Sequence, residues 1–182
     1  MSFKLKSTSI ADLLLVETDK FTDERGYFME SYKKSALEKA GLRVDFQQDN
    51  FSYSTRNVLR GLHYQLPPYA QGKLVRVLEG VIWDVAVDIR PGSPTFKRWY
   101  GAELSESNAV AFYIPEGFAH GFVVLSDEAK VLYKTTAEYN KDAERGIIWN
   151  DPELDIFWPV KEPIVSSKDR ANLSLSEAEL FN

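Results

Sequence analysis

The sequence predicts an all-β domain of antiparallel strands, closed as a sandwich, jelly roll or barrel. Three observations carry that reading. Residues 81–89 alternate, with Val81, Trp83, Val85, Val87 and Ile89 on one face and Asp84 and Asp88 on the other, the period-two pattern of a half-buried strand. Similar short apolar runs recur along the chain, separated by turn chemistry such as Leu66-Pro67-Pro68, Arg90-Pro91-Gly92-Ser93-Pro94, Ile114-Pro115-Glu116-Gly117 and Ser126-Asp127-Glu128. Helical periodicity is scarce.

Taken in order, strands are expected over residues 13–18, 26–32, 58–66, 73–78, 81–89, 98–104, 109–114, 121–125 and 129–139. A short helix is expected over 35–40, with a serine N-cap and Gly41 just past its end, and a helical turn over 175–180. The stretch 151–170, with Pro152, Pro159 and Pro163, reads as a tail lying across the body. There is no repeat, low-complexity tract or Ser/Gly linker, so residues 1–182 are expected to form one domain with the tail 151–182 packed on the barrel.

The chain has 182 residues, 44% hydrophobic and 27% charged. That composition suits an ordinary globular domain and excludes collagen, coiled coil and global disorder. Cysteine is absent, which removes disulfides, thiolate metal sites and cysteine nucleophiles. The 22 basic and 27 acidic residues give a net charge of −5, unfavourable for a nucleic-acid polymer, whose affinity comes from many phosphate contacts. A single nucleotide needs only a local cationic pocket. The longest apolar run, 109–114, is far short of the roughly 20 residues that span a bilayer. Met1-Ser2-Phe3-Lys4-Leu5-Lys6 lacks the apolar core of a secretory signal. The expectation is a cytosolic protein without membrane contact.

The two histidines, His63 and His120, both stand near glycine in strand-like segments. A lone strand histidine is often a core residue satisfied by a hydrogen bond. His63 draws attention because Arg60 and Lys73 are near it in sequence, and a buried arginine demands an anionic partner. Strict alternation puts Arg60 and His63 on opposite faces, so a shared pocket requires an irregularity, which Gly61 between them could supply.

Pro115-Glu116-Gly117-Phe118-Ala119-His120 resembles the second half of the cupin signature. Where the first half offers two histidines one residue apart, this chain reads His63-Tyr64-Gln65, and position 124 is Val124 rather than asparagine. Glutamine is rarely a good metal ligand, and catalytic zinc or iron sites usually take three His/Asp/Glu ligands. A cupin-like jelly roll without metal is therefore expected, with acid–base chemistry. Arg60-Gly61-Leu62-His63-Tyr64-Gln65, preceded by Gln48-Asp49-Asn50 and followed by Lys73, further resembles the dTDP-4-dehydrorhamnose 3,5-epimerase family. Matching stretches lie at Asp23 to Glu30, Ile114 to Phe122, Tyr133, Tyr139, Trp149-Asn150-Asp151-Pro152 and Ser167-Lys168-Asp169-Arg170. The resemblance implies a homodimeric enzyme of dTDP-L-rhamnose synthesis that needs no cofactor and acts on dTDP-4-keto-6-deoxy-D-glucose.

Epimerisation beside a ketone removes a proton from carbon and returns one to the opposite face. A neutral imidazole suits the base. The resemblance implies that His63 is this base, that Asp169 orients it, that Lys73 stabilises charge on O4, and that Tyr133 donates the proton on the far face. It places Arg25, Phe28, Glu30, Gln48, Asp49, Asn50, Arg60, Glu144 and Lys168 around the nucleotide-sugar, Tyr139 on the thymine ring and His120 near the sugar. Without the resemblance, Tyr133 reads as an ordinary strand tyrosine, and Arg25 and Glu144 as solvated loop charges. Phe51 and Tyr53 replace the histidine and basic residue found in many relatives. Three alternatives stay open: a single-site (C3 or C5) epimerase or ketoisomerase of a related dTDP-keto-sugar, a cupin that binds a sugar or nucleotide without turnover, and a metal-dependent cupin.

Overall fold

The computed structural model describes residues 2–181 and bears out the all-β jelly roll. The N-terminal pair β1 (Phe3–Ser7) and β2 (Leu14–Thr18) leads into a small hairpin, β3 (Phe21–Asp23) and β4 (Gly26–Phe28). After α1 (Lys34–Ala40) come β5 (Gln48–Thr55), β6 (Val58–Gln65), β7 (Lys73–Glu79), β8 (Val81–Asp88), β9 (Trp99–Ser105), β10 (Ala111–Ile114), β11 (Phe118–Val124) and β12 (Glu128–Thr135). The chain closes with β13 (Glu144–Gly146), β14 (Ile164–Val165) and the single turn α2 (Ser167–Arg170).

Two sheets face each other. One runs β1-β2-β10-β7-β12-β5, the other β13-β6-β11-β8-β9, with β14 pairing β6 in parallel. Between them lies a core to which both contribute: Val75, Val77, Phe112, Ile114 and Val131 from the first, Ile82, Ala86, Leu104, Phe118 and Phe122 from the second. One end of this interior is polar, and there the pocket opens.

β8 departs from expectation. It is buried on both faces, not half-buried. Its apolar stripe Val85, Val87 and Ile89 points away from the barrel and packs under Leu154 and Leu175 of the C-terminal segment. Asp84 and Asp88, on the opposite face, are fully buried. Asp88 is held by Arg90, Ser93 and Thr95. Asp84 meets His120.

The remaining differences are local. α1 begins at Lys34 with Lys33 as N-cap and no side-chain cap; Ser35 lies inside the helix. Gly41 ends it in the left-handed region, φ 109°, as glycine permits. The expected strand over 26–32 stops at Phe28, because the chain then leaves the hairpin and Tyr32 packs edge-on against Phe46 below α1. Residues 175–180 form a turn rather than a helix. The sequence reading missed β1 and β5, and the short strands β3, β13 and β14.

Candidate active site

The pocket is built on the pairing of β6 with β11. His63 stands opposite His120, yet Arg60 stands opposite Phe122, so three steps on β6 match two on β11. The extra residue bends β6 at Gly61, whose φ is 137°. A side chain there would place its Cβ 2.5 Å from the Gly121 Cα. This irregularity turns Arg60 and His63 to the same side, and both line one cavity of about 380 Å³.

His63 Nε2 lies 2.7 Å from Asp169 Oδ1, and the Gly61 N–H donates to Oδ2 at 3.3 Å. Burial pushes the Asp169 carboxyl up, but hydrogen bonds from His63, Gly61 and Ser166, with the charge of His63, outweigh it and hold the group below its ordinary value. A carboxylate can only accept, so Nε2 carries a proton and donates it, and Nδ1 is the ring nitrogen not engaged by Asp169. Asp169 lies 106 residues from His63 in sequence. The tail delivers it through β14, which runs beside the start of β6 with Val165 opposite Leu59.

Lys73 opens β7 and is buried, donating to the His63 carbonyl at 3.1 Å. Burial lowers its pKa to about 8, against the opposing pull of Asp84 and Glu144. His120 Nε2 bonds Asp84 Oδ1 at 2.9 Å, and burial lowers its pKa despite that neighbour. Across the cavity, Tyr133 projects from β12; burial raises its pKa, partly offset by Arg60.

At the mouth, Gln48 and Asn50 point inward from β5, joined side chain to side chain at 2.7 Å. The Tyr139 backbone donates to Gln48 Oε1 and its hydroxyl donates to Glu144. Glu144 also pairs with Lys168 at 2.6 Å. Burial tends to raise the Glu144 pKa, but these two partners bring it below its ordinary value.

The structure thus gathers His63, Lys73, His120, Tyr133, Gln48, Asn50, Arg60, Tyr139 and Glu144 around one cavity, with Asp169 behind His63 and Lys168 paired with Glu144 at the rim. Four expected residues lie elsewhere. Asp49 faces outward on β5, where parity puts it on the far side from Gln48 and Asn50, and pairs with Lys134. Arg25 and Phe28 sit exposed on the β3–β4 hairpin, Arg25 paired with Asp23. Glu30 follows that hairpin and bonds Lys33. None of the four lines the pocket of its own chain.

Sequence reasoning missed Ser52, Gln71, Phe122 and Asp84. Ser52 was open to discovery, since it continues the Gln48, Asn50 alternation, and its buried hydroxyl has no hydrogen-bond partner among the described residues. Asp84 gave only the misleading signal of an outward polar residue. Gln65, at the expected ligand position, is tied to backbone at Tyr69, Glu138 and Asn140. Among the described residues no cluster of three His, Asp or Glu could hold a metal ion.

An imidazole bonded to a carboxylate, a buried lysine and a phenol around one jelly-roll pocket are the groups that acid–base isomerisation of the cupin type needs. Comparison narrows this. The sequence pattern of dTDP-4-dehydrorhamnose 3,5-epimerase matches residues 7–177. The dTDP-4-dehydrorhamnose 3,5-epimerase of Shigella flexneri is 55% identical over 175 residues, 96% of this chain and 97% of that protein. That of Pseudomonas aeruginosa is 52% identical, with 97% and 99% covered. The dTDP-6-deoxy-D-glucose-3,5-epimerase of Legionella pneumophila, solved with dTDP-4-keto-L-rhamnose, superposes with TM-score 0.91 at 48% identity, over 96% of this chain and 94% of that one. The chain belongs to the dTDP-4-dehydrorhamnose 3,5-epimerase family and is an epimerase. No helix among the described residues is long and apolar enough to cross a membrane.

Proposed function

We propose that this epimerase converts dTDP-4-keto-6-deoxy-D-glucose to dTDP-4-keto-L-rhamnose by inverting C3 and C5, using only its own side chains. The observation that carries the reading is the His63–Asp169 pair and Tyr133 in one cavity with the buried Lys73. His63 takes the proton from the carbon beside the C4 ketone. The C–H electrons become the enolate, whose oxygen gains negative charge. The Lys73 ammonium stabilises that charge, and a fixed cation away from water is effective there. Tyr133 then protonates the carbon from the opposite face and recovers its proton from solvent, to which His63 releases the proton it took, so both groups are restored for the second inversion. A phenol, ordinarily near pKa 10, is a far stronger acid than the carbon it protonates. Asp169 holds the His63 ring and stabilises its charged form.

The nucleotide is assigned to Gln48, Asn50, Arg60, Tyr139, Glu144 and Lys168, with Arg60 and Lys168 supplying positive charge for the diphosphate. His120, steadied by Asp84, borders the sugar. We propose a homodimer in which Arg25 and Phe28 serve the neighbouring pocket. The exposure of Phe21, Tyr27 and Phe28 on the hairpin and of Phe51 and Tyr53 on the edge strand β5 supports it, since such surface invites association. We place the enzyme in the cytosol, where its charged substrate is retained.

The test is turnover in deuterated water with the product trapped by a ketoreductase. Deuterium at both C3 and C5 with an L-rhamnose-configured product supports the reading; label at one carbon makes it a single-site epimerase, and binding without label removes the catalytic assignment. Mixing His63→Ala with Arg25→Ala chains tests the dimer. Recovery of activity from two weak variants is expected, and light scattering at the monomer mass of 20.8 kDa would overturn it.

A further inference from the structure

We infer that Ser166 is a positioning residue for the reaction, fixing the tail turn that aims Asp169 at His63. The inference rests on the reading of His63 as base. Asp169 sits on α2, a single turn of four residues. Such a turn has no stability of its own, because helix nucleation is unfavourable; its geometry must come from what anchors it. Three anchors are present. Ile164 and Val165 pair with Val58 and Leu59, the start of the strand that carries His63. The Arg170 guanidinium folds back and donates twice to the Val165 carbonyl, at 3.0 and 2.7 Å. Ser166 caps the turn, its Oγ accepting the Asp169 N–H at 3.0 Å.

The third anchor acts on the catalytic carboxylate itself. The backbone of Asp169 is held by Ser166, while its two carboxylate oxygens receive His63 and the Gly61 N–H. Both oxygens are committed to β6, so the one remaining freedom of the residue is where its backbone sits. Releasing the Asp169 N–H lets the turn shift and rotates the carboxylate off the ring. A displacement of about 1 Å in a catalytic constellation can cost about 100-fold in rate. Ser166 does not border the cavity that holds the proposed base and acid; it lines an adjoining cleft with Arg60, His63 and Lys168, where its Oγ is taken by the Asp169 N–H.

The experiment compares Ser166→Ala, Ser166→Gly and Ser166→Thr. Alanine removes the cap outright, whereas glycine removes the hydroxyl but is itself tolerated at N-caps, and threonine keeps a capping oxygen. Expected are a fall in kcat of about 10- to 100-fold for alanine and glycine, KM within about twofold, and recovery in threonine. The downfield proton resonance of His63 bonded to Asp169 should shift or broaden in the first two variants and persist in the third. In an Asp169→Ala background, Ser166→Ala should add less than about twofold, since residues acting through one another are not additive. Wild-type kcat in folded Ser166→Gly, an unmoved resonance, or an equal further loss in the Asp169→Ala background overturns the inference. If His63→Ala itself turns over normally, the base assignment has failed instead, and the two failures are separated.

Discussion

Replacing Asp169 by asparagine changes one oxygen for a nitrogen and almost no volume, yet it should reverse the polarity of its hydrogen bond with His63, the proposed base. In the native protein the carboxylate accepts from His63 Nε2 at 2.7 Å and from the Gly61 N–H at 3.3 Å. Asparagine has one accepting oxygen. If that oxygen keeps Gly61, the amide NH2 faces Nε2 and donates to it, so the ring proton moves to the nitrogen that should take the substrate proton. Loss of a general base costs roughly 10²–10⁴ in rate, or about 2.7–5.5 kcal/mol of barrier. Asp169 is buried behind the ring and does not line the cavity, so dTDP affinity should stay within about twofold of wild type. The assay pairs deuterium uptake at C3 and C5 with calorimetric dTDP binding. Stability gives a second readout. The Asp169 pKa is held below its ordinary value, so its contribution is fully present above the unfolded carboxylate range, near pH 3.8, and is lost as pH falls through the folded value. The variant should therefore be less stable near neutrality, by up to roughly 1.5–3 kcal/mol for a hydrogen bond to a charged group, and the gap should close in acid. Folded Asp169→Asn exchanging deuterium within threefold of wild type would refute the reasoning.

Three more perturbations probe separate parts. Tyr133→Phe should slow formation of the doubly inverted product by about 10² or more while leaving washout of substrate deuterium less affected; equal loss in both, followed by mass spectrometry, removes Tyr133 as the far-face acid. Lys73, with its pKa lowered to about 8, carries charge below that pH and loses it above, so kcat/KM should fall as pH rises through about 8, and a Lys73→Met profile should lack that limb. Because the unfolded lysine holds its proton to higher pH, this residue should also make stability rise between pH 8 and the ordinary lysine value of 10.5, readable by denaturant titration. Gly61→Ala must put a Cβ 2.5 Å from Gly121 Cα at φ 137°. At least about 1–3 kcal/mol of destabilisation is expected from the backbone alone, together with loss of turnover as Arg60 and His63 separate; a wild-type melting curve would show that the strand can adapt.

How far the sequence could be read depended on which way its side chains face. β6, β7 and β10 were legible because their apolar residues meet a core. β5 was not: Gln48, Asn50 and Ser52 face the polar cavity while Phe51 and Tyr53 face out, so the usual alternation is inverted and gives no strand signal. β8 was read as a strand for the right reason but with the wrong environment. Its visible apolar stripe belongs to the outer face, covered by Leu154 and Leu175, and its acidic residues are the buried ones. The need for an irregularity between Arg60 and His63 could be deduced from parity alone, and β6 carries it at Gly61.

The sequence by itself determined the class of the protein. Its short strands and turn chemistry specify an antiparallel sandwich, jelly roll or barrel, and its ordered motifs carry the resemblance that narrows this to a cupin-like jelly roll with the residue types of an acid–base pocket. Only the tertiary structure decided which of those residues meet. It joined Asp169 to His63 across 106 residues, set Asp84 under His120, turned Asp49 away from the cavity and left Arg25 and Phe28 on an exposed hairpin. The physical reason is that local pattern records a residue's preference for water or core, whereas a catalytic contact depends on strand register and on where the tail returns, and neither is local.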